Sequence, residues 1–380
     1  MNQKKKGVVN AYWAMAFIGL SSSSASVVLP LLREKYALPY DVAGMLLAFL
    51  SVGNLIASLL SGILPRYLGI RKTAILFTSG MLLGYGLMAV TGVPAVIMLA
   101  FLLVGLAQGS GINNATVVDG NAAADRTRAV NLVNAMFALG GLSSPLIYMA
   151  AGRLPFWQAP VAVLGALGGI FWLLYWTMNL SSEKLVGSKA EDMSFLKKRR
   201  FWYSTALLFG QQCADIGVTN WLVTYFKDQG ILTGVLGELT VTVLFAGILL
   251  GRLAIGFFLP ETSRFRSLVL MSGVTLVAYL LLLGVNNGVT ALVFLFLYGL
   301  GISGVYPTAI AQANKSMSNA TVGVMLPIAG IGAILMPYII GAVAQQVGIH
   351  GGMMCAAASM ALMLVFALLL KAEDKRGAQD

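Results

Sequence analysis

The residues with the most chemical capacity are polar groups stranded in apolar sequence. Asp215 lies near the middle of the apolar run 201–226, with Gln211, Gln212 and Thr219 three or four residues away. In a helix those spacings gather on one face. A carboxylate in the hydrocarbon of a bilayer costs about 2.5–3.5 kcal/mol on insertion scales, so an acid kept there is a functional site by default. Its chemistry would be to take and release a proton as its exposure alternates. The structural alternative is a neutral Asp held by hydrogen bonds to a neighbouring helix. Asn220 and Trp221 follow further along the run. Amides both donate and accept, and an indole covers the apolar face of a ring, so this face suits a polyol. Amide bonding between helices, about 0.6 kcal/mol per bond, fits the same residues equally.

A second set lies in the first half. Gln108 falls near mid-depth of the run 94–118, and Asn113 and Asn114 lie about 8–9 Å further along it at 1.5 Å per residue. Asn131 and Asn134, three apart, share a face of the next run. Together these amides could line a cavity, with at least one pair serving packing alone. Ser21 to Ser24 and Ser26 make the first run small and polar at its middle, which favours close helix packing over cavity lining. Tyr306 is a further binding candidate, whereas Tyr12 and Trp13 suit an interfacial anchor. Arg252 is a permanent cation inside the run 233–259. It suits a gate or structural cation, with Asp119 as a candidate partner and contact with an anionic solute as the minority reading.

These residues need long apolar helices to position them. The 380 residues are 58% hydrophobic and 10% charged, against about 45–50% and about 25% in soluble domains. Runs of span length cut by Gly, Pro and charge number twelve: 10–32, 41–64, 74–91, 94–118, 128–152, 156–178, 201–226, 233–259, 265–285, 288–312, 319–345 and 348–371. A span takes ~20 residues, and in lipid the backbone must satisfy itself within each segment, so the runs are expected to be helices. The net charge of +11 sits in the connections. With the N-terminus inside, 20 Lys and Arg fall in inner segments and 4 in outer loops. That asymmetry predicts a multi-pass protein of the cytoplasmic (inner) membrane with both termini cytoplasmic.

The longest polar stretch, 179–200, divides the chain into a six-helix bundle at 1–178, a basic cytoplasmic linker, and a second bundle with a short tail at 201–380. The halves echo each other. Gly62 with Pro65 matches Gly256 with Pro260, and Gly105 matches Gly299, at an offset of 194 from each glycine; Gly140 with Pro145 matches Gly332 with Pro337 at 192. The expected fold is therefore all-α, with two six-helix bundles related by pseudo-twofold symmetry, an architecture that binds solute at mid-depth. The glycines would also let the bundles bend and rock.

Several classes are excluded or disfavoured. The two cysteines, Cys213 and Cys355, fall in apolar runs without metal spacing. The single histidine, His350, is read in a short loop, which leaves no intramembrane Ser-His dyad. Neither Asp119 nor Asp215 sits in the Gly-x-Gly-Asp pattern of aspartyl membrane proteases. No phosphate-binding glycine loop is present. An intramembrane enzyme is thus disfavoured.

The loop Gly62-Ile-Leu-Pro65-Arg66-Tyr-Leu-Gly69-Ile-Arg71-Lys72 resembles the basic loop motif of the major facilitator superfamily, with Arg66 where that family carries Asp. The resemblance implies gating roles for Arg66 and Arg71. Gly105-Leu-Ala-Gln108-Gly109-Ser-Gly111-Ile-Asn113-Asn114, Asn131 through Gly141, Asp215-Ile-Gly217 with Trp221 and Tyr225, and Gly304-Val-Tyr306-Pro307 are similar to the fucose/glucose/galactose–proton symporter family. Sugar symporters of that family carry acids on spans one and four. Span one here has none, and the nearest span-four match is Asn114. The antiporter pattern on span five is broken at Ser144-Pro145.

The expectation is a secondary active transporter moving a small polar solute, a sugar or sugar derivative, by alternating access with proton symport through Asp215. Gln108, Asn113, Asn114, Asn134, Gln211, Gln212, Asn220, Trp221 and Tyr306 would contact solute, with Arg252, Asp119, Arg66 and Arg71 at gates. The alternative is a proton-driven exporter of drugs or amphipathic compounds. No cofactor is expected beyond an ion gradient, of protons or else sodium. The expected partners are the small-molecule solute and the lipid bilayer, with no nucleic acid, around a monomer.

Overall fold

A computed structural model describes residues 3–122, 126–177, 193–258, 264–316 and 319–376. Side chains are described from Val9 onward, outside 113–133, 178–192, 256–264, 311, 314–320 and 375–380. The described residues divide into two compact units, Met1–Ser188 and Lys189–Asp380. Nine helical segments among them are long and apolar enough to cross a membrane, the last of them, Thr321–Asp374, holding two helices that part at Gly348.

The first unit holds α1 (Gln3–Tyr36), α2 (Tyr40–Ile63), the single turn α3 (Pro65–Leu68), α4 (Ile70–Val90), α5 (Pro94–Ala122), α6 (Arg126–Ala151) and α7 (Ala159–Thr177). The second holds α8 (Arg199–Asp228), α9 (Gly234–Phe258), α10 (Arg264–Gly284), α11 (Gly288–Ile302), α12 (Val305–Ser316) and α13 (Asn319–Arg376). Each helix follows from an apolar run that can satisfy its backbone only internally. The stops are local. Gly69, at φ 81°, ends the turn after α2, and Asn287 caps α11 by accepting from the backbone N–H of Val289 at 2.9 Å.

Two boundaries depart from the sequence expectation. The tenth run is two helices broken at Ser303–Gly304. Pro307 has no N–H for the carbonyl of Ser303, four residues back, so the ladder breaks there. The eleventh and twelfth runs are two helices within α13 that part at Gly348, where the sequence expectation divides them; its φ of 84° is a left-handed conformation that glycine adopts without a Cβ penalty. His350 therefore lies in α13 just past the turn, and not in a loop. The linker is also shorter than 179–200. Ser194–Lys197 forms a 3₁₀ turn and α8 begins at Arg199. Phe195 is buried against Phe201, ring centroids 5.2 Å apart, which anchors this segment to the unit.

Packing in the two units repeats. α1 lies along α6 and α2 along α5, as α8 lies along α13 and α9 along α11. The closest crossings carry glycine at matching positions. Gly53 faces the carbonyl of Leu102, and Gly247 faces that of Phe296, an offset of 194 on both sides of the contact. Gly105 faces Leu50, and Gly299 faces Leu244, again at 194. Gly140 faces Ala16, and Gly332 faces Phe209, at 192 and 193. Small residues permit such backbone approach in membrane bundles, where dispersion and hydrogen bonds drive association. The sequence echo is thus a repeated set of helix crossings.

Candidate functional site

In the second unit the polar face of α8 is built as its spacing requires. Gln211, Asp215 and Thr219 recur every four residues and stack on one face. Gln211 Nε2 donates to Asp215 Oδ2 at 3.1 Å. Gln211 is 2% exposed, and its carbonyl oxygen Oε1 has no hydrogen-bond partner among the described residues. Asp215 itself is half-buried.

Three further elements face this group. Tyr298 of α11 donates its hydroxyl to the backbone oxygen of Ala214 at 3.0 Å, which places the phenol next to the acid. Arg252 of α9 lies within electrostatic reach of Asp215. The adjacent Gly251 packs against Ser303 and the carbonyl of Leu300, so Arg252 stands beside the break between α11 and α12. Tyr306, one turn beyond that break, is within electrostatic reach of Arg252 and half-buried. The result is an acid, a guanidinium, two phenols and a carboxamide gathered from four helices. They can exchange a proton at the carboxyl, hold an anion at the guanidinium, and offer acceptors and donors to hydroxyl groups.

The remaining candidates of α8 differ. Gln212 is half-buried beside this face. Asn220 is 3% exposed. Trp221 is fully buried, and its Nε1 donates to Pro337 O at 3.0 Å. Both faces of the indole are covered by protein, so the ring proposed from sequence to stack on a solute is packed between α8 and α13 in this structure.

In the first unit Gln108 is brought together with groups that sequence reasoning passed over. Its Nε2 donates to Ser21 Oγ at 3.0 Å. The Tyr85 hydroxyl of α4 lies 3.0 Å from the same oxygen and also bonds Ser24 Oγ. Ser23 Oγ donates to Gly141 O at 2.9 Å and ties α1 to α6. Ser21, Ser23 and Ser24 thus tie α1 to its neighbouring helices, whereas Ser26 bonds the backbone of its own helix. Tyr85 was not singled out. The signal was present, because Tyr85 and Tyr279 occupy matching positions at the 194 offset and both are buried. Asn134 is half-buried on α6. The side chains of Asn113, Asn114, Asn131 and Asp119 lie outside the described residues.

At the candidate gate, Arg66 is exposed on the turn α3. Arg71 Nη2 donates to the backbone oxygen of Trp176 at 3.0 Å, closing the first turn of α4 onto the last turn of α7. A cation there also suits the negative end of the α7 dipole. His350 lies 3.4 Å from the Tyr225 hydroxyl through Nδ1, a pairing the loop expectation did not foresee. Among the described residues no group of three or more His, Cys, Asp or Glu is arranged to hold a metal ion.

Comparison with known proteins bears on this arrangement. The family model described as Major Facilitator Superfamily matches residues 11–329. A hexuronate transporter of Bacillus subtilis (strain 168) is 21% identical, covering 92% of this chain and 90% of that protein. An uncharacterized MFS-type transporter of Yersinia pestis is 23% identical over 89% of this chain and 88% of its own. Among solved structures, a point mutant of the nucleoside transporter NupG superposes with a TM-score of 0.75 at 16% identity, covering 98% of this chain and 99% of that one. A bacterial homolog of the human lysosomal transporter Spinster, in an inward-facing and occupied conformation, gives 0.71 at 12% identity over 96% of both chains.

Proposed function

The chain belongs to the Major Facilitator Superfamily, and we propose that this multi-pass secondary transporter carries a hydroxyl-rich solute of the sugar or sugar-derivative class together with protons. The observation that carries the reading is Asp215, set at the middle of α8, bonded to Gln211 and facing Arg252. A carboxyl inside a span is expensive unless it serves a pathway. Here the Gln211 amide and the Arg252 guanidinium can hold the carboxylate, and a solute acceptor can take the hydrogen of the acid. Alternating exposure of the carboxyl to the two sides would move one proton per cycle. Each charge that crosses gains about 2.3 kcal/mol per 100 mV.

The solute class rests on the donor and acceptor set. Gln211, Gln212 and Tyr306 carry groups that can donate to and accept from hydroxyls. Hexuronates and nucleosides, named for two similar proteins, are both hydroxyl-rich ring compounds. The motifs on α5, α6 and α8 keep the finer resemblance to the fucose/glucose/galactose–proton symporters. We place the protein in the cytoplasmic membrane with both termini inside, from the 20-to-4 bias of its cations.

The test is proton uptake by proteoliposomes challenged with hexoses and hexuronates, in wild type and Asp215→Asn. The reading expects solute-triggered proton influx that the substitution abolishes while solute exchange persists. Undiminished proton movement in the variant would assign coupling elsewhere. Proton-free uptake in both would make the carrier uncoupled or dependent on sodium.

A further inference from the structure

The entry to α8 gathers cations where a helix is poorly served by them. Lys197, Lys198, Arg199 and Arg200 follow one another from the 3₁₀ turn Ser194–Lys197 into the first turn of α8. That first turn holds no acid. Cations there oppose the helix dipole, so helix stability does not explain them. Arg200 is engaged within the unit. Its Nη2 lies 3.8 Å from Asp374 Oδ1 of α13, and its guanidinium carbon lies 5.2 Å from the centre of the Phe265 ring of α10. Lys197, Lys198 and Arg199 are exposed, and among the described residues none of the three forms an ion pair.

An indole lies against the same turn. Trp202 donates its Nε1–H at 2.8 Å to the backbone oxygen of Leu196, the residue before Lys197. Its ring meets Phe201 edge-on at 5.1 Å, yet Trp202 stays 50% exposed. With the N–H satisfied inside the protein, the surface it offers is apolar. The turn is pinned from beneath, because Phe195 and Phe201 are buried in one core with Leu268 of α10 and Met363 of α13. Three exposed cations and an apolar ring are thus fixed next to each other at one end of α8.

We propose that this patch binds an anionic phospholipid, with Lys197, Lys198 and Arg199 on the phosphate and Trp202 against the glycerol and the adjoining acyl carbons. Charge and apolar surface together select that partner. Phosphate oxygens accept charge-assisted bonds from ammonium and guanidinium groups. Each basic residue at an anionic membrane surface contributes about fivefold in affinity, from about 1 kcal/mol. Tryptophan favours the level where headgroups meet hydrocarbon, whereas a small soluble anion has nothing to lay against an exposed ring. Lipid binding here is independent of the solute and of proton transfer at Asp215.

The experiment uses purified full-length protein in nanodiscs of phosphatidylcholine, with phosphatidylglycerol as the anionic probe. One lipid or the other carries bromine near the headgroup end of its acyl chain. Quenching of tryptophan fluorescence is compared between wild type and Trp202→Phe, which isolates the signal of Trp202. Brominated phosphatidylglycerol should quench Trp202 at least twice as strongly as brominated phosphatidylcholine at the same mole fraction, and added salt should shrink the difference. In detergent, the affinity for fluorescent phosphatidylglycerol should fall at least tenfold when Lys197→Gln, Lys198→Gln and Arg199→Gln are combined. It should stay within about twofold when Lys197→Arg, Lys198→Arg and Arg199→Lys are combined, because the charge is kept. Each single neutral substitution should cost about fivefold, and these carry the test if the triple variant fails to fold. Equal quenching by the two lipids, or undiminished affinity in the folded neutral variants, would overturn the proposal. So would displacement of the probe by glycerol phosphate as readily as by unlabelled phosphatidylglycerol, which would mark a site for small anions only.

Discussion

Replacing a glycine by alanine should have opposite signs at two positions in the same bundle. A methyl group on Gly140 would press on the carbonyl of Ala16, lying 2.7 Å from its carbon and 2.9 Å from Leu20 N. Carbon contacts are optimal near 3.5–4.0 Å, so α6 and α1 must separate by about 1 Å, loosening the whole crossing. Overpacking of this kind costs about 1–3 kcal/mol. Gly86, exposed on α4, has nothing within 4 Å of the same methyl. There the substitution removes only backbone freedom from the unfolded chain and should stabilise by about 0.5–1 kcal/mol. At roughly 2–4 °C per kcal/mol for a unit of this size, Gly140→Ala should lower Tm by about 2–12 °C and Gly86→Ala raise it by about 1–4 °C. Thermal denaturation of detergent-purified protein, followed by size-exclusion of the soluble fraction, reads both. Gly332→Ala, at the repeat-related crossing where the methyl would lie 2.6 Å from Phe209 O, should behave as Gly140→Ala does. Equal shifts at Gly140 and Gly86 would refute the claim that the crossings, and not glycine content, set the stability.

Other outcomes are as definite. Tyr85→Phe removes the hydroxyl that joins Ser21 and Ser24. At about 0.5–1.5 kcal/mol per bond, it should cost about 1–3 kcal/mol in the same thermal assay, and adding Ser24→Ala should cost less than the sum. Trp221→Phe deletes the donor to Pro337 O and should destabilise by about 1–3 kcal/mol. It should leave solute affinity within about twofold, because the ring is covered; a tenfold loss of binding in stable protein would show that it meets the solute. Gly348→Ala forces a Cβ into left-handed backbone with open space around it, so strain alone should cost about 1–2 kcal/mol, visible as a Tm loss without change in substrate specificity.

The sequence by itself determined the membrane class, twelve spanning runs and a duplicated plan, because each rests on local properties. Apolar length decides spanning, Pro and Gly decide stops, and an offset near half the chain is visible without coordinates. Asp215 was legible for the same reason: an acid within a span stands out on one line of sequence. Its companions were not. Arg252 was legible as a cation out of place, but its setting against Asp215 depends on how α9 packs beside α8 and the α11–α12 break. Tyr85 looked like any aromatic of an apolar run until Ser21 and Ser24 of α1 supplied its partners. Trp221 shows the converse. Its type and place beside an amide suggested a stacking surface, yet packing against α13 covers it. Sequence periodicity assigns a residue to a face of its own helix, whereas only the tertiary structure decides which backbone oxygen, hydroxyl or charge that face meets.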